Sequence, residues 1–238
     1  MLATSLLLLA SGAHTPENPA EAPALESSAT WAELLAEPAL PKQSGGGISY
    51  SFIEASYGSG DSDAESLALE GRFEVTDWAY LGAGFGSSEV DSGIDVQGTT
   101  TDIFLQQTTL AVGAGVHFEP TDQFSVFAEL QFAQADFDAN ADGYASENLG
   151  DGDLAAITIG ARFRPTEMIE GYVAYSDVDG DYEDNATGLT ADIEYSTTTV
   201  GIRVYANESL AVNLDAMTQS VDDAPDADFV SVGVNYFF

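Results

Sequence analysis

The side chains that carry most enzyme chemistry are scarce in this chain of 238 residues. It has no cysteine and two histidines, His14 and His117. Without cysteine there is no disulfide, no thiolate metal site and no thiol nucleophile. His14 lies in an N-terminal region of leader and linker character, and His117 falls in a repeat of basic residues described below. His117 therefore reads as a structural member of that repeat, and neither histidine is taken as a catalytic acid or base. What remains is carboxylate chemistry, with 40 Asp and Glu against 5 Lys and Arg.

Two acidic runs stand out, Asp136 to Gly143 and Asp177 to Asp184. The pattern Asp138-x-Asn140-x-Asp142-Gly143 copies the first half of an EF-hand loop, where alternate oxygens converge on a hard cation and glycine permits the turn. The second half is missing, since Leu149 stands at the twelfth position where a bidentate Glu is needed. Asp177, Asp179 and Asp181 offer a similar spacing. The expectation is solvated acidic loops and no resident cofactor, with calcium at these loops as the alternative.

The formal net charge of -35 excludes a nucleic-acid binder, because the five basic residues, Lys42, Arg72, Arg162, Arg164 and Arg203, form no cluster in sequence that could displace phosphate counterions. With 45% apolar residues, the chain is not an acidic disordered tail either. The basic residues do follow a rule. Arg72-Phe73, His117-Phe118, Arg162-Phe163 and Arg203-Val204 recur at spacings of 45, 45 and 41. Alternation places the basic member of each pair on one face, together with the acids Glu54, Glu129, Glu170 and Asp215, while Glu70 and Glu74 flank Arg72. Inward charges must pair to survive desolvation, so an interior charge belt of these residues with Arg164 is expected, with Arg162 directly across from Glu170.

The elements that position this belt are strands. Residues 1–13, with Leu6 to Leu9 followed by Ser11-Gly12-Ala13, fit a signal peptide without a charged start. Ala13 occupies the place where a lipoprotein box needs cysteine, so no lipid anchor is expected. Residues 14–46 are rich in Pro, Glu and Ala and read as a linker, with at most a transient helix over Thr30 to Glu37. From residue 47 onward the period is two. In the last segment Val230, Val232, Val234, Tyr236 and Phe238 share one face, and Ser231, Gly233 and Asn235 share the other. Ten such segments are found, near 47–58, 66–75, 78–88, 104–118, 123–135, 154–164, 168–177, 194–205, 209–219 and 228–238.

Connections alternate short and long. Phe73 to Ala79, Phe118 to Phe124, Phe163 to Ile169 and Val204 to Leu210 are each bridged by five turn-forming residues, and the others are mostly long, polar and rich in Gly, Asp and Asn. This predicts an all-β transmembrane antiparallel up-and-down barrel of about ten strands, spanning 47–238. Termini and short turns would be periplasmic and the acidic loops extracellular. With Arg, Glu, Gln, Tyr80 and Tyr172 facing inward, the lumen reads as plugged, since barrels of this size hold mainly packed side chains.

The C-terminal run Val234-Asn235-Tyr236-Phe237-Phe238 resembles the last strand of bacterial outer-membrane proteins, with Tyr236 and Phe238 as the signal read by the barrel-assembly machinery. The runs Ile48 to Tyr57 and Ala68 to Arg72 are similar to a family of small outer-membrane barrels made with signal peptides. That resemblance implies an outer-membrane location and carries over no catalytic residue. The expected protein is a monomer in outer-membrane lipid with a structural or surface-interaction role. The alternatives are a narrow ion or small-solute pore and, less favoured, a hydrolase using carboxylates at the rim.

Overall fold

The computed structural model describes residues 42–43, 47–48, 51–60, 64–96, 99–141, 147–221 and 226–238. The proposed leader and most of the proposed linker lie outside the described residues. A short antiparallel pair, β1 (Lys42–Gln43) and β2 (Gly47–Ile48), precedes the main body. Ten strands then follow: β3 (Phe52–Gly60), β4 (Glu65–Thr76), β5 (Ala79–Val96), β6 (Thr99–Thr121), β7 (Phe124–Ala141), β8 (Glu147–Thr166), β9 (Ile169–Asp184), β10 (Thr190–Asn207), β11 (Leu210–Val221) and β12 (Ala227–Phe237). Each pairs antiparallel with its sequence neighbour, and β12 pairs with β3, closing an up-and-down barrel of ten strands. Closure leaves no free sheet edge.

The bounds differ from the sequence expectation in three ways, each with a physical cause. The first barrel strand starts at Phe52 instead of Gly47, because Gly47 and Ile48 pair back on Lys42 and Gln43. The short connections are turns of two residues, Asp77-Trp78, Asp122-Gln123, Glu167-Met168 and Glu208-Ser209, where five bridging residues were expected. Thr76, Thr121 and Thr166 accept the N–H two residues on through Oγ1 at 3.3–3.4 Å, and Asn207 accepts that of Ser209 at 2.8 Å. These side-chain caps let pairing run down to the turn, and a register shift beside each turn absorbs the extra residue.

The third difference concerns the acidic runs, which were expected as loops. Asp136 to Ala141 lie in β7 and Asp177 to Asp184 in β9. Strands β5 to β10 have 16–23 residues each, against 9–12 for β3, β4, β11 and β12. One side of the wall therefore rises well past the other at the end opposite the two-residue turns, here the far end.

Along these tall strands the two faces exchange chemistry without breaking the period. On β7, Phe124, Val126, Leu130 and Phe132 point outward and Ser125, Glu129 and Gln131 point inward; farther along, Asp136 points outward and Ala133, Ala135 and Phe137 inward. On β9, outward Ile169, Val173 and Tyr175 give way to Asp177, Asp179, Asp181 and Glu183, while inward Glu170 and Tyr172 give way to Val178 and Tyr182. Near the turns the barrel is apolar outside and polar inside; at the far end the outside is acidic and the inside mostly apolar, with Gln107, Thr109, Thr197 and Gln219 buried among the apolar side chains.

The outer apolar band on β7 runs from Phe124 to Phe132. At about 3.3 Å per residue and a tilt near 40°, it is about 20 Å tall, close to the band of a membrane barrel. Aromatic side chains mark both edges. Phe73, Trp78, Phe118, Phe163 and Tyr236 are exposed at the turn end, and Tyr57, Phe85, Phe132 and Tyr175 at the other.

Inside the band, glycines make room for rings on the neighbouring strand. A Cβ on Gly115 would lie 2.2 Å from the Tyr80 ring, and one on Gly201 would lie 2.2 Å from Tyr172. Tyr80 is registered opposite Gly115 and Tyr172 opposite Gly201, so each ring takes the space that a Cβ on its partner would fill.

Candidate functional site

Alternation along β3, β4, β5, β7, β8, β9, β10, β11 and β12 points the polar residues of the band into the lumen, where they gather in two ionic groups joined by an amide bridge. In the first, Arg72 Nε donates to Glu70 Oε1, and an Arg72 terminal nitrogen lies 3.0 Å from Glu129 Oε2. Glu129 accepts from the Tyr80 hydroxyl at 2.8 Å and from the Gln131 amide at 2.7 Å. The Arg72 guanidinium also lies over the Tyr80 and Phe52 rings, 5.1 and 5.7 Å from their centroids.

In the second, three guanidinium groups converge on one carboxylate. Glu170 lies 3.2 Å from Arg162, 3.4 Å from Arg164 and 3.6 Å from Arg203, and accepts from Tyr205 at 3.0 Å. Arg203 lies 5.9 Å from the ring centroids of both Tyr172 and Phe237. Between the groups, Tyr172 and Asn213 donate to Asp215, Asn213 reaches Glu54 at 3.4 Å, and Asn235 donates to Asn213 at 2.9 Å.

The structure thus brings together Glu54, Glu70, Arg72, Glu129, Arg162, Arg164, Glu170, Arg203 and Asp215. His117 is buried on the same inner wall and Glu74 is half-buried near the turn end of β4. The register differs from the expectation in one respect. Arg162 is directly across from Tyr172, and the residue across from Glu170 is Arg203. The tighter turn slides β9 along β8 by two residues, so the ion pair between Arg162 and Glu170 is diagonal, within reach of an arginine.

Sequence reasoning missed the organising part of Tyr80, Tyr172, Tyr205 and Asn213. Period two does place the three tyrosines inward. Which acid each phenol reaches depends on contacts across the lumen, 49 residues apart for Tyr80 and Glu129.

Beyond the belt the inward side chains become mostly apolar. Val90, Phe137, Leu154, Val178, Tyr182, Ile193, Tyr195, Met217 and Phe229 form one buried apolar cluster with seven alanines. Phe137 and Tyr182 meet edge-on, with centroids 5.4 Å apart. At the turn end the lumen opens instead into a vestibule of about 530 Å³.

The candidate calcium ligands do not converge among the described residues. Asp177, Asp179 and Asp181 are exposed in a line along the outside of β9, where successive same-face residues are about 7 Å apart. Asp138 and Asn140 are on β7, and Asp142 lies outside the described residues. No group of three His, Asp or Glu able to hold a metal is formed among the described residues.

What does form is a set of like-charge rows. Asp181 is registered with Asp153 on one side and Asp192 on the other, and Asp151 with Asp136 and Glu183. Burial pushes the Asp136 carboxyl up, and its hydrogen bond with Asp151 and the charges of Asp151 and Asp138 add to this. Tyr236 and Phe238 point outward at the end of β12 and beside it, and the Phe238 N–H donates to Ser51 across the seam at 3.2 Å.

No protein-family model and no curated protein sequence matches the chain. Among solved structures the likeness is to bacterial outer-membrane β-barrels, and it is one of fold. OmpT, an outer-membrane protein of Vibrio cholerae, is 16% identical over 80% of this chain, with a TM-score of 0.36. The match covers 63% of OmpT, so the chain spans less than two thirds of that protein. Neisserial surface protein A is 9% identical over 79% of this chain and 94% of its own, with a TM-score of 0.41. The KdgM porin, in complex with disordered oligogalacturonate, is 11% identical over 79% of this chain and 99% of its own, with a TM-score of 0.39.

Proposed function

We propose that this protein is a monomeric, non-conducting barrel of a bacterial outer membrane, with a structural or surface-interaction role and no catalytic activity. The apolar band faces lipid, the two-residue turns and both chain ends are periplasmic, and the acidic far end stands outside the cell. Tyr236 and Phe238 serve as the signal for the assembly machinery. The observation that carries this reading is the exchange of faces along β7 and β9, which follows the environment each level would meet. Lipid selects the apolar outside, and water beyond the membrane selects the acidic outside with an apolar core.

The packed far half is what argues against a pore. An ion entering at the vestibule would meet the paired charges and then a packed, mostly apolar cluster built around Phe137, Tyr182, Tyr195 and Phe229. The far half is a rigid, strand-built projection, and its outer carboxylates are its contact surface toward a partner or cations. The test is conductance in planar bilayers, with folding checked by the faster migration of unboiled protein on a gel. Silence from folded protein is expected, and steady unitary steps would overturn the reading in favour of a narrow pore.

A further inference from the structure

We propose that the vestibule at the turn end is a binding site for a short zwitterionic peptide, its carboxylate held by Arg164 and its ammonium by the rim acids Glu167 and Glu208. The proposal draws on the previous reading only for the compartment from which the peptide arrives. The cavity measures about 530 Å³ and is lined by Arg162, Arg164, Glu170, Tyr205 and the half-buried Glu119 on its inner wall, and by Asp122, Glu167 and Glu208 at the rim. That volume falls within the usual range of small-ligand sites and exceeds the needs of a single small amino acid.

Charge is layered with depth. On the inner wall, Glu170 is shared by three guanidinium groups and already accepts from Tyr205. Of the three, Arg164 is the one that is partly exposed, at 17% of its side chain, against 4% for Arg162 and 0% for Arg203. A planar guanidinium has five donors, so Arg164 can take up a second carboxylate while keeping Glu170. At the rim, Glu167 and Glu208 are exposed at the two turns.

These turns are held in place by their own side chains. Thr166 Oγ1 accepts from the N–H groups of Met168 and Ile169 at 3.3 and 3.1 Å, and Asn207 caps Ser209. The rim acids therefore stand on fixed backbone, which lowers the ordering cost of binding. A simple anion would find only Arg164 and be repelled by the acids around it, and a simple cation would be held by the rim but repelled by Arg164. A ligand with separated charges suits both layers, and the proposed occupant is an extended peptide of three residues, about 10 Å long.

The test is calorimetric titration of the full chain, folded in detergent micelles, with trialanine, N-acetyl-trialanine and trialanine amide. Trialanine is expected to bind at least about tenfold more tightly than either blocked peptide, as losing one charge-assisted contact implies. Arg164→Gln should weaken trialanine binding about tenfold and remove the preference over the amide. Glu208→Gln, at an exposed turn position, should reduce the preference over the acetylated peptide and leave the other intact. If Arg164→Gln does not give the fast-migrating folded band, Arg164→Lys keeps the charge without the planar fork and should still weaken binding. No heat with trialanine, equal binding of the blocked peptides, or unchanged binding in the Arg164 variants would overturn the proposal. These outcomes are read apart from conductance, so failure of either reading leaves the other standing.

Discussion

The half of the barrel near the turns and the half at the far end are made by the same strands, yet they are stabilised in opposite ways. Near the turns, the interior is a network of named partners: Arg72 with Glu70 and Glu129, and Glu170 with three arginines. At the far end the interior is a packed apolar cluster around Phe137 and Tyr182, and the outside carries rows of carboxylates. Since the strands are continuous, backbone hydrogen bonding cannot distinguish the halves. The difference lies in which face each side chain occupies, and it teaches that one barrel wall can serve two solvents if the pattern inverts at the boundary.

If the near half is a network, removing one charge should be its largest disturbance. Arg72 is the cation shown pairing with two buried acids and is itself 1% exposed. Arg72→Gln leaves those carboxylates with no countercharge close by and should cost about 3–5 kcal/mol in urea unfolding from lipid vesicles. Adding Glu129→Gln should recover part of that loss, because one buried acid is then neutral. Equal stability of Arg72→Gln and the parent would mean that the network is solvated.

In the far half the corresponding test is a cavity. Phe137→Ala should cost about 3–4 kcal/mol by the same measurement. Hydrogen exchange should then quicken at the far ends of β7 and β9 while the amides near Glu129 and Glu170 keep their protection. Uniform loss of protection over both halves would contradict their separate packing.

How far this division was legible in the sequence depends on the residue. The period of two, the ten strands and the inward set of Arg72, Arg162, Arg203, Glu129 and Glu170 follow from alternation alone, because one face of each segment is continuously apolar. The far half was not recognised. Asp177 to Asp184 is acidic enough to read as loop, but Val178 and Tyr182 keep the alternation going with the faces exchanged. A search for outward apolar residues stops where the apolar band stops, although the strand goes on. The diagonal pairing of Arg162 and Glu170 was also hidden, since it depends on a turn of two residues and a register shift at Phe163 and Thr166.

The outer faces provide a sharper comparison with smaller effects. Leu130→Arg, within the band, should cost about 2–4 kcal/mol in vesicles, as expected for an arginine facing lipid at mid-depth. The same change at Asp179, on the outside of the far half and opposite Glu194, should be neutral or stabilise by about 0.2–1 kcal/mol by relieving a like-charge pair. If both positions resist arginine equally, the lipid boundary does not fall between them.

The smallest expected effect is the pH response of the far half. The Asp136 carboxyl titrates above its ordinary range, through burial and its contacts with Asp151 and Asp138. A carboxyl raised in the folded state binds more protons there than in the unfolded chain, so stability falls as pH rises through the raised value. On acidification from neutral pH, the far end of β7 should therefore gain protection in mild acid, above the ordinary carboxylate range, and the gain should level off once pH falls below that range. Asp136→Asn should abolish this part of the response. Added sodium chloride at neutral pH should mimic it in part, because exposed like-charge rows are screened over about 10 Å at 0.1 M salt. The near half, whose charges are buried and paired, should show little of that salt dependence. Hydrogen exchange resolved along β7, comparing amides around Glu129 with those around Asp136, reads both halves in one experiment, and an equal salt response in the two would remove the distinction between them.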